Sequence, residues 1–184
     1  MSGKIFCLGF QKTGTTSLAR ALAALGYKVG DAIKPLLAEI DWQGPNLDSA
    51  IYQKTLEIVE GLDAIQDSPC AFLHREFDAV HPGSKFILTL REVEDWLESY
   101  RQYFPDANNP LRRWMYGVDR FSGHEAHYRA LFLTRNAEII RYFADRPDDL
   151  LILDLAKGDG WLELVTFLGK DFLKPFPHIN KAKR

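Results

Sequence analysis

The segment Lys4-Ile5-Phe6-Cys7-Leu8-Gly9, followed at once by Phe10-Gln11-Lys12-Thr13-Gly14-Thr15-Thr16-Ser17, constrains the fold more than any other. Its first part is a short apolar run ending in glycine, the pattern of a buried strand. Leu18, Ala21, Leu22 and Leu25 then recur at i, i+3, i+4 and i+7. That spacing predicts an amphipathic helix over Thr15 to Leu25, stopped by Gly26. A strand, a tight glycine-containing turn and a helix in direct succession open an α/β domain. The turn places Gly9 and Gly14 five residues apart. Such a loop points backbone N–H groups inward as a cradle for an anion. The helix N-terminus behind it adds partial positive charge. Thr15, Thr16 and Ser17 put hydroxyl donors into the first helical turn.

The alternation continues along the chain. Tyr27 to Gly30, Ala64 to Gln66, Lys85 to Leu90 and Leu150 to Leu155 read as further strands. Helices are expected over Asp31 to Ile40, Leu47 to Glu60, Cys70 to Val80, Glu92 to Tyr103, Leu111 to Phe121, Glu125 to Phe143 and Trp161 to Leu168. The expected fold is a single α/β domain of the P-loop type over residues 1–184. Its sheet is mostly parallel, with helices on both faces, and a helical segment (residues 106–145) is inserted between the last strands. Ligands of such sheets bind at the carboxyl ends of the strands.

Composition narrows the classes of function. At 184 residues the chain can bury a core without disulfides or a metal. Its 46% hydrophobic and 26% charged residues exclude disordered, collagen-like and coiled-coil readings. Lys and Arg number 23 against 25 Asp and Glu, so no basic excess points to nucleic acid or a membrane surface. Cys7 and Cys70 are the only cysteines, too few for a disulfide framework or a Cys-rich zinc site. No apolar run reaches the roughly 18 residues of a membrane span. The N-terminus lacks the basic-then-apolar pattern of a secretory signal. A cytoplasmic, reducing setting is the expectation. Charge is uneven: residues 31–67 carry eight acids and two lysines, and residues 170–184 carry five basic residues and one acid. The basic tail is either a solvated end or a segment that closes over an anionic ligand.

The loop departs from a nucleotide triphosphatase. A Walker A loop needs Lys directly after its second glycine, then Ser or Thr. Here Thr15 stands in that position and the lysine is Lys12, inside the loop. From there it reaches a ligand from another side and is placed to neutralise a terminal leaving group. The run Lys12-Thr13-Gly14-Thr15-Thr16-Ser17-Leu18 after a strand resembles the 5′-phosphosulfate loop of the sulfotransferases, which use 3′-phosphoadenylyl sulfate. The resemblance implies that Gln11, Lys12, Thr13, Gly14, Thr15, Thr16 and Ser17 hold the donor's 5′ end. It implies that Lys12 also stabilises charge on the leaving phosphate. It further places the 3′-phosphate at Arg91, which ends the strand Lys85 to Leu90, and at Ser99 in the next helix. Arg91 offers a planar fork of donors suited to a phosphate. An ion pair with Glu94 or Asp95 is the structural alternative for it. The segment Gly160 to Gly169, and then Pro175-Phe176-Pro177-His178-Ile179-Asn180, is similar to the end of short sulfotransferase-like proteins.

Sulfuryl transfer to a hydroxyl needs a base. Where many members of that family have His before Leu-Pro, this chain has Asp67-Ser68-Pro69. Asp67 is therefore the candidate base, with a helix cap or turn as its structural alternative. His74, His81, His124 and His127 are the other candidates. No third ligand accompanies His124 and His127, so no metal is expected. Trp161 is a candidate for stacking on adenine or for the core. Trp96, Tyr100, Tyr103, Phe104, Trp114 and Tyr116 either line an apolar acceptor cleft or form core. The acceptor is expected to be a small molecule or a carbohydrate, carrying a hydroxyl or an amine. Two rivals stand beside this reading. One is a P-loop kinase of a small molecule, for which Asp154 would support Mg²⁺. The other is a non-catalytic domain that binds an adenine nucleotide.

Overall fold

A computed structural model describes residues 3–104, 106, 108–171 and 177. The basic tail lies outside the described residues, apart from Lys170, Asp171 and Pro177.

Five strands, β1 (Ile5–Cys7), β2 (Val29–Gly30), β3 (Ala64–Ile65), β4 (Lys85–Thr89) and β5 (Leu150–Leu153), form one sheet in the order β2-β3-β1-β4-β5. Every pairing is parallel, with Phe6 opposite both Ile65 and Phe86. The strand period of two sorts the core into two faces. Phe6, Leu8, Phe86 and Leu88 point to one side, and Ile5, Cys7, Ile87 and Leu153 to the other. Helices α1 (Thr15–Ala24) and α8 (Trp161–Leu168) cover the second face through Leu18, Ala21, Leu22 and Leu164.

The first face is covered by α2 (Ile33–Glu39), α3 (Leu47–Glu60), α4 (His74–Val80), α5 (Val93–Tyr103), α6 (Pro110–Tyr116) and α7 (Glu125–Tyr142). Helices α6 and α7 fall between β4 and β5 in the chain. Their Met115, Tyr128 and Phe132 join the same core as the sheet. Aromatic rings dominate there: Trp96 stacks on Phe132 at 4.2 Å and Tyr116 on Tyr128 at 4.2 Å.

Most element ends lie within two residues of expectation, and two helices differ more. The helix expected over Cys70 to Val80 is a 3-10 turn at Cys70–Phe72, then α4, because Phe72 and Leu73 donate to carbonyls three residues back. The helix expected to run to Phe121 ends at Tyr116. Gly117 takes a left-handed conformation (φ 70°) and donates to the Arg113 carbonyl at 2.7 Å, a glycine stop.

Connections from β1 and β4 leave toward opposite edges of the sheet. The crevice between their carboxyl ends is therefore the topological switch point, the place where parallel sheets bind ligands. The loop from Gly9 to Gly14 and the end of β4 meet there.

Candidate functional site

The loop after β1 is anchored from three directions. Phe10 is buried and packs its ring against Phe72, Trp96 and Phe132 at 5.2–5.8 Å. Trp96 Nε1 on α5 donates to the Gln11 carbonyl at 2.8 Å. The Thr13 hydroxyl donates to the Phe10 carbonyl at 2.6 Å, so Thr89 must donate in the 2.6 Å contact between the two threonine hydroxyls. This bridge requires Gly9. A Cβ there would overlap the Thr89 hydroxyl and lie 2.8 Å from that of Thr13. Gly9→Ala should therefore split the bridge and lower stability by about 1–3 kcal/mol. Thermal unfolding checks this; an unchanged midpoint contradicts it.

Two backbone positions stand out. Lys12 and Asp67 both have φ of 70°, and they are the non-glycine residues with positive φ among those described. The left-handed region costs a side-chain-bearing residue roughly 1–2 kcal/mol. Both lie in loops at the carboxyl ends of central strands. Gly14, at φ 105°, begins α1 and faces Leu155, so a side chain there would meet both strain and a neighbour at 2.6 Å. The N-cap of α1, Gly14, supplies no side-chain cap, and no acidic residue stands in its first turn. Its N-terminal partial charge is thus left for an anion.

Cations gather around this helix end. Arg91 Nη1 donates to the Lys12 carbonyl at 3.1 Å, which holds the guanidinium over the loop. Of its two alternative partners, Glu94 makes a bidentate pair with Arg129, and no ion pair between Arg91 and Asp95 is seen among the described residues. Lys12 Nζ lies over the Tyr103 ring, 3.5 Å from its centroid. Burial lowers the Lys12 pKa, Arg91 lowers it further, and Asp67 opposes both. A pair of crowded cations beside an uncapped helix is a site that gains by binding an anion. Ser99 sits on the same face of α5 as Trp96 and Tyr103, at positions i+3 and i−4 from them.

Asp67 follows β3, with its carbonyl accepting from Cys70 N–H at 3.0 Å. The turn role is therefore carried by its backbone. Its carboxylate accepts from the Ser68 N–H at 2.8 Å and the Ser68 hydroxyl at 3.3 Å, both on Oδ1. Burial raises its pKa to about 6, against the lowering bonds from Ser68; Asp31 raises it and Lys12 lowers it. A carboxyl that titrates near 6 is suited to base work near neutrality. Beside it lies a small cleft, with room for about one water, lined by Phe10, Gln11, Asp67, Pro69, Phe72 and Met115 among others.

Residues 4–134 and 113–184 match the family model described as Sulfotransferase domain. The chain belongs to the sulfotransferase domain family. A curated relative, Ava biosynthesis cluster protein M of Aspergillus versicolor, is 25% identical over an alignment 213 residues long that takes in 96% of this chain and 80% of that protein. A solved structure of shikimate kinase from Acinetobacter baumannii in complex with shikimate aligns with a TM-score of 0.42 at 15% identity. It covers 79% of this chain and 96% of that one.

Within this sulfotransferase domain, the structure brings Lys12, Gly14, Thr15 and Arg91 to one end of the sheet, and Ser99 lies two turns into α5, the helix that follows β4. Thr15 and Ser17 are buried at the start of α1 and Thr16 is exposed. Two residues assigned to the donor loop spend their side chains elsewhere. Thr13 is committed to Phe10 and Thr89, and the Gln11 amide donates to Ser68 at 2.7 Å. Pattern reading missed these contacts because they join positions 57 and 76 residues apart.

The other candidates fall away from the loop. His74 is a core residue whose burial lowers its pKa to about 4, leaving it neutral. His81 stands 3.9 Å from Glu60, and His127 Nε2 lies 2.6 Å from the Tyr116 carbonyl. No group of potential metal ligands occurs among the described residues. Asp154 accepts from Ala156 and Lys157 N–H and pairs with the Lys157 ammonium at 3.2 Å, so it shapes its own turn. Trp161 packs against the second core. Trp96, Tyr100 and Tyr116 are core rather than cleft, and the apolar cleft walls are Phe10, Phe72 and Met115. Among the described residues no helix is long and apolar enough to cross a membrane.

Proposed function

We propose that the protein transfers a sulfuryl group from 3′-phosphoadenylyl sulfate to a hydroxyl or amine of a small acceptor. The observation that carries this reading is the convergence of Lys12, Arg91 and the uncapped start of α1 on one side, with Asp67 on the other. The family match is consistent with it. The residues fit the donor: the crowded cations and free helix end call for an anion, and Arg91 keeps further N–H donors beyond the one used on Lys12.

In this reading, Lys12, Gly14, Thr15, Thr16 and Ser17 hold the 5′-phosphosulfate, and Arg91 with Ser99 holds the 3′-phosphate. The donor supplies an activated sulfuryl group on a phosphate that is a good leaving group. Asp67 takes the proton from the acceptor's hydroxyl. Lys12 neutralises the charge left on the phosphate oxygen, where a fixed cation acts most strongly in the transition state. Substrates approach from the cytoplasm, and the acceptor reaches the donor on the side of Asp67.

Incubation with a donor carrying radioactive sulfur and a panel of small alcohols, phenols and amines tests this. Label in an acceptor, with one adenosine 3′,5′-bisphosphate released per transfer, is expected. Label that stays in the donor across the panel overturns it. Arg91→Ala should raise the donor KM by about 10–100-fold, the worth of a charged phosphate contact, with a smaller change in kcat. Steady-state kinetics on a responsive acceptor reads this directly, and an unchanged KM removes Arg91 from the donor site.

A further inference from the structure

Tyr103 belongs neither to the core nor to the cleft beside Asp67. It is the last residue of α5, it is 62% exposed, and it lines no part of that cleft. An exposed ring at a helix end has little to fix it, and here a neighbour does. The Tyr103 ring packs edge-on against Phe104, with centroids 5.1 Å apart and planes at 86°. Phe104 in turn lies 4.6 Å from the ring of Tyr100, which is fully buried. Over the Tyr103 ring sits the Lys12 ammonium, 3.5 Å from the centroid. A line of three rings thus runs from the core to the lysine of the loop.

That contact answers an electrostatic problem. Lys12 stands in left-handed backbone, and the Arg91 guanidinium is bonded to its carbonyl. Burial and then Arg91, after β4, disfavour the charged form of its side chain, and Asp67, after β3, favours it. Helix α5 adds the Tyr103 ring, and no hydrogen bond or ion pair to Lys12 Nζ occurs among the described residues. A lysine is a point charge on a flexible four-carbon stem, so a neighbouring cation drives it away unless something holds it. The negative face of an aromatic ring attracts an ammonium, and more strongly where water is partly removed.

We propose that Tyr103 is a positioning residue for Lys12: its ring is a fixed platform that keeps the lysine's ammonium in place beside Arg91, both before and after the anion binds. The ring face makes the contact and the hydroxyl does not, so phenylalanine serves as well and an aliphatic residue fails. The inference rests on reading Lys12 as the cation that meets the leaving phosphate, and its first readout needs no transfer.

The test uses protein labelled with ¹³C at lysine Cε, with the Lys12 signal assigned by its loss in Lys12→Arg. In the ligand-free parent the Lys12 methylene protons should lie upfield of those of exposed lysines, because a ring current shields groups over its face. Tyr103→Phe should keep this shift and Tyr103→Leu should abolish it. In the parent it should persist with saturating adenosine 3′,5′-bisphosphate. The Lys12 signal of Tyr103→Leu should titrate at lower pH than the parent's, since leucine preserves apolar bulk and removes the ring's attraction. On an acceptor that responds in the transfer assay, Tyr103→Leu should lower kcat about 3–30-fold, with bisphosphate affinity changed by less than about twofold. Tyr103→Phe should restore kcat. An unshifted Lys12 signal in the parent, a shift that survives in Tyr103→Leu or that the bisphosphate abolishes, or an unchanged kcat in Tyr103→Leu overturns the proposal. If Tyr103→Leu does not fold, the parent's shift and its retention in Tyr103→Phe decide. A ring-dependent shift in a protein that neither binds the bisphosphate nor transfers sulfate keeps Tyr103 as the holder of Lys12 and overturns the transfer reading instead.

Discussion

Lys12→Ala lowers kcat by about 10²–10³-fold, the loss that follows removal of one preorganised charge from a developing anion. Binding of adenosine 3′,5′-bisphosphate changes far less. The reason lies in where Lys12 stands. It is inside the loop rather than after its second glycine, with its ammonium over the Tyr103 ring and its carbonyl tied to Arg91. In the proposed donor site the remaining phosphate contacts would come from the start of α1 and from Arg91, which alanine at position 12 leaves in place. Charge on the bridging oxygen grows only as the S–O bond breaks, so the lysine acts chiefly in the transition state. Single-turnover rates beside equilibrium titration of the bisphosphate separate the two effects. Losses of equal size in both would make Lys12 a uniform binding residue.

Asp67→Asn lowers kcat/KM by about 10²–10⁴-fold, the usual worth of a general base. In the parent, kcat/KM rises with pH through about 6 as Asp67 loses its proton, and this limb disappears in the variant. At higher pH the parent rate falls as Lys12 deprotonates, and it does so below the ordinary lysine range because burial and Arg91 lower that pKa. The same substitution acts oppositely on stability. A carboxyl whose folded pKa is raised favours folding below its unfolded pKa and loses that contribution as pH rises through about 6. At neutral pH the ionised Asp67 is therefore a cost. Asn removes it, raising stability by on the order of 1 kcal/mol, or about 2–4 °C in midpoint. The gain is present at pH 7 and absent near pH 4. A variant that loses activity and melts lower at pH 7 contradicts this account of Asp67.

Much of the fold is legible in local signals. Helices α3 and α8 fall where their apolar periodicity and bounding turns place them. The loop between β1 and α1 is visible from its glycines. The position of Arg91 is visible because a charged residue directly ends an apolar strand. What anchors and tunes the site depends on long-range contacts. Trp96 holds the loop from 85 residues away and Phe10 anchors it from within, and neither differs locally from an ordinary core aromatic. The Gln11–Ser68–Asp67 chain joins the first strand's loop to the third's, which no spacing rule reports. The left-handed backbone at Lys12 and Asp67 is likewise imposed by the surrounding fold, since neither residue type favours it enough to announce it. The end of α6 is a different case: Gly117 stood in the sequence as a stop signal inside an otherwise helical pattern.

The most direct test of the central claim is calorimetric titration of the parent with adenosine 3′,5′-bisphosphate, adenosine 5′-monophosphate and ATP–Mg²⁺. The account predicts that the bisphosphate binds tightest, because Arg91 and Ser99 add a 3′-phosphate site to the loop that holds the 5′ end. Preference for ATP–Mg²⁺, or equal binding of the bisphosphate and the monophosphate, would contradict it.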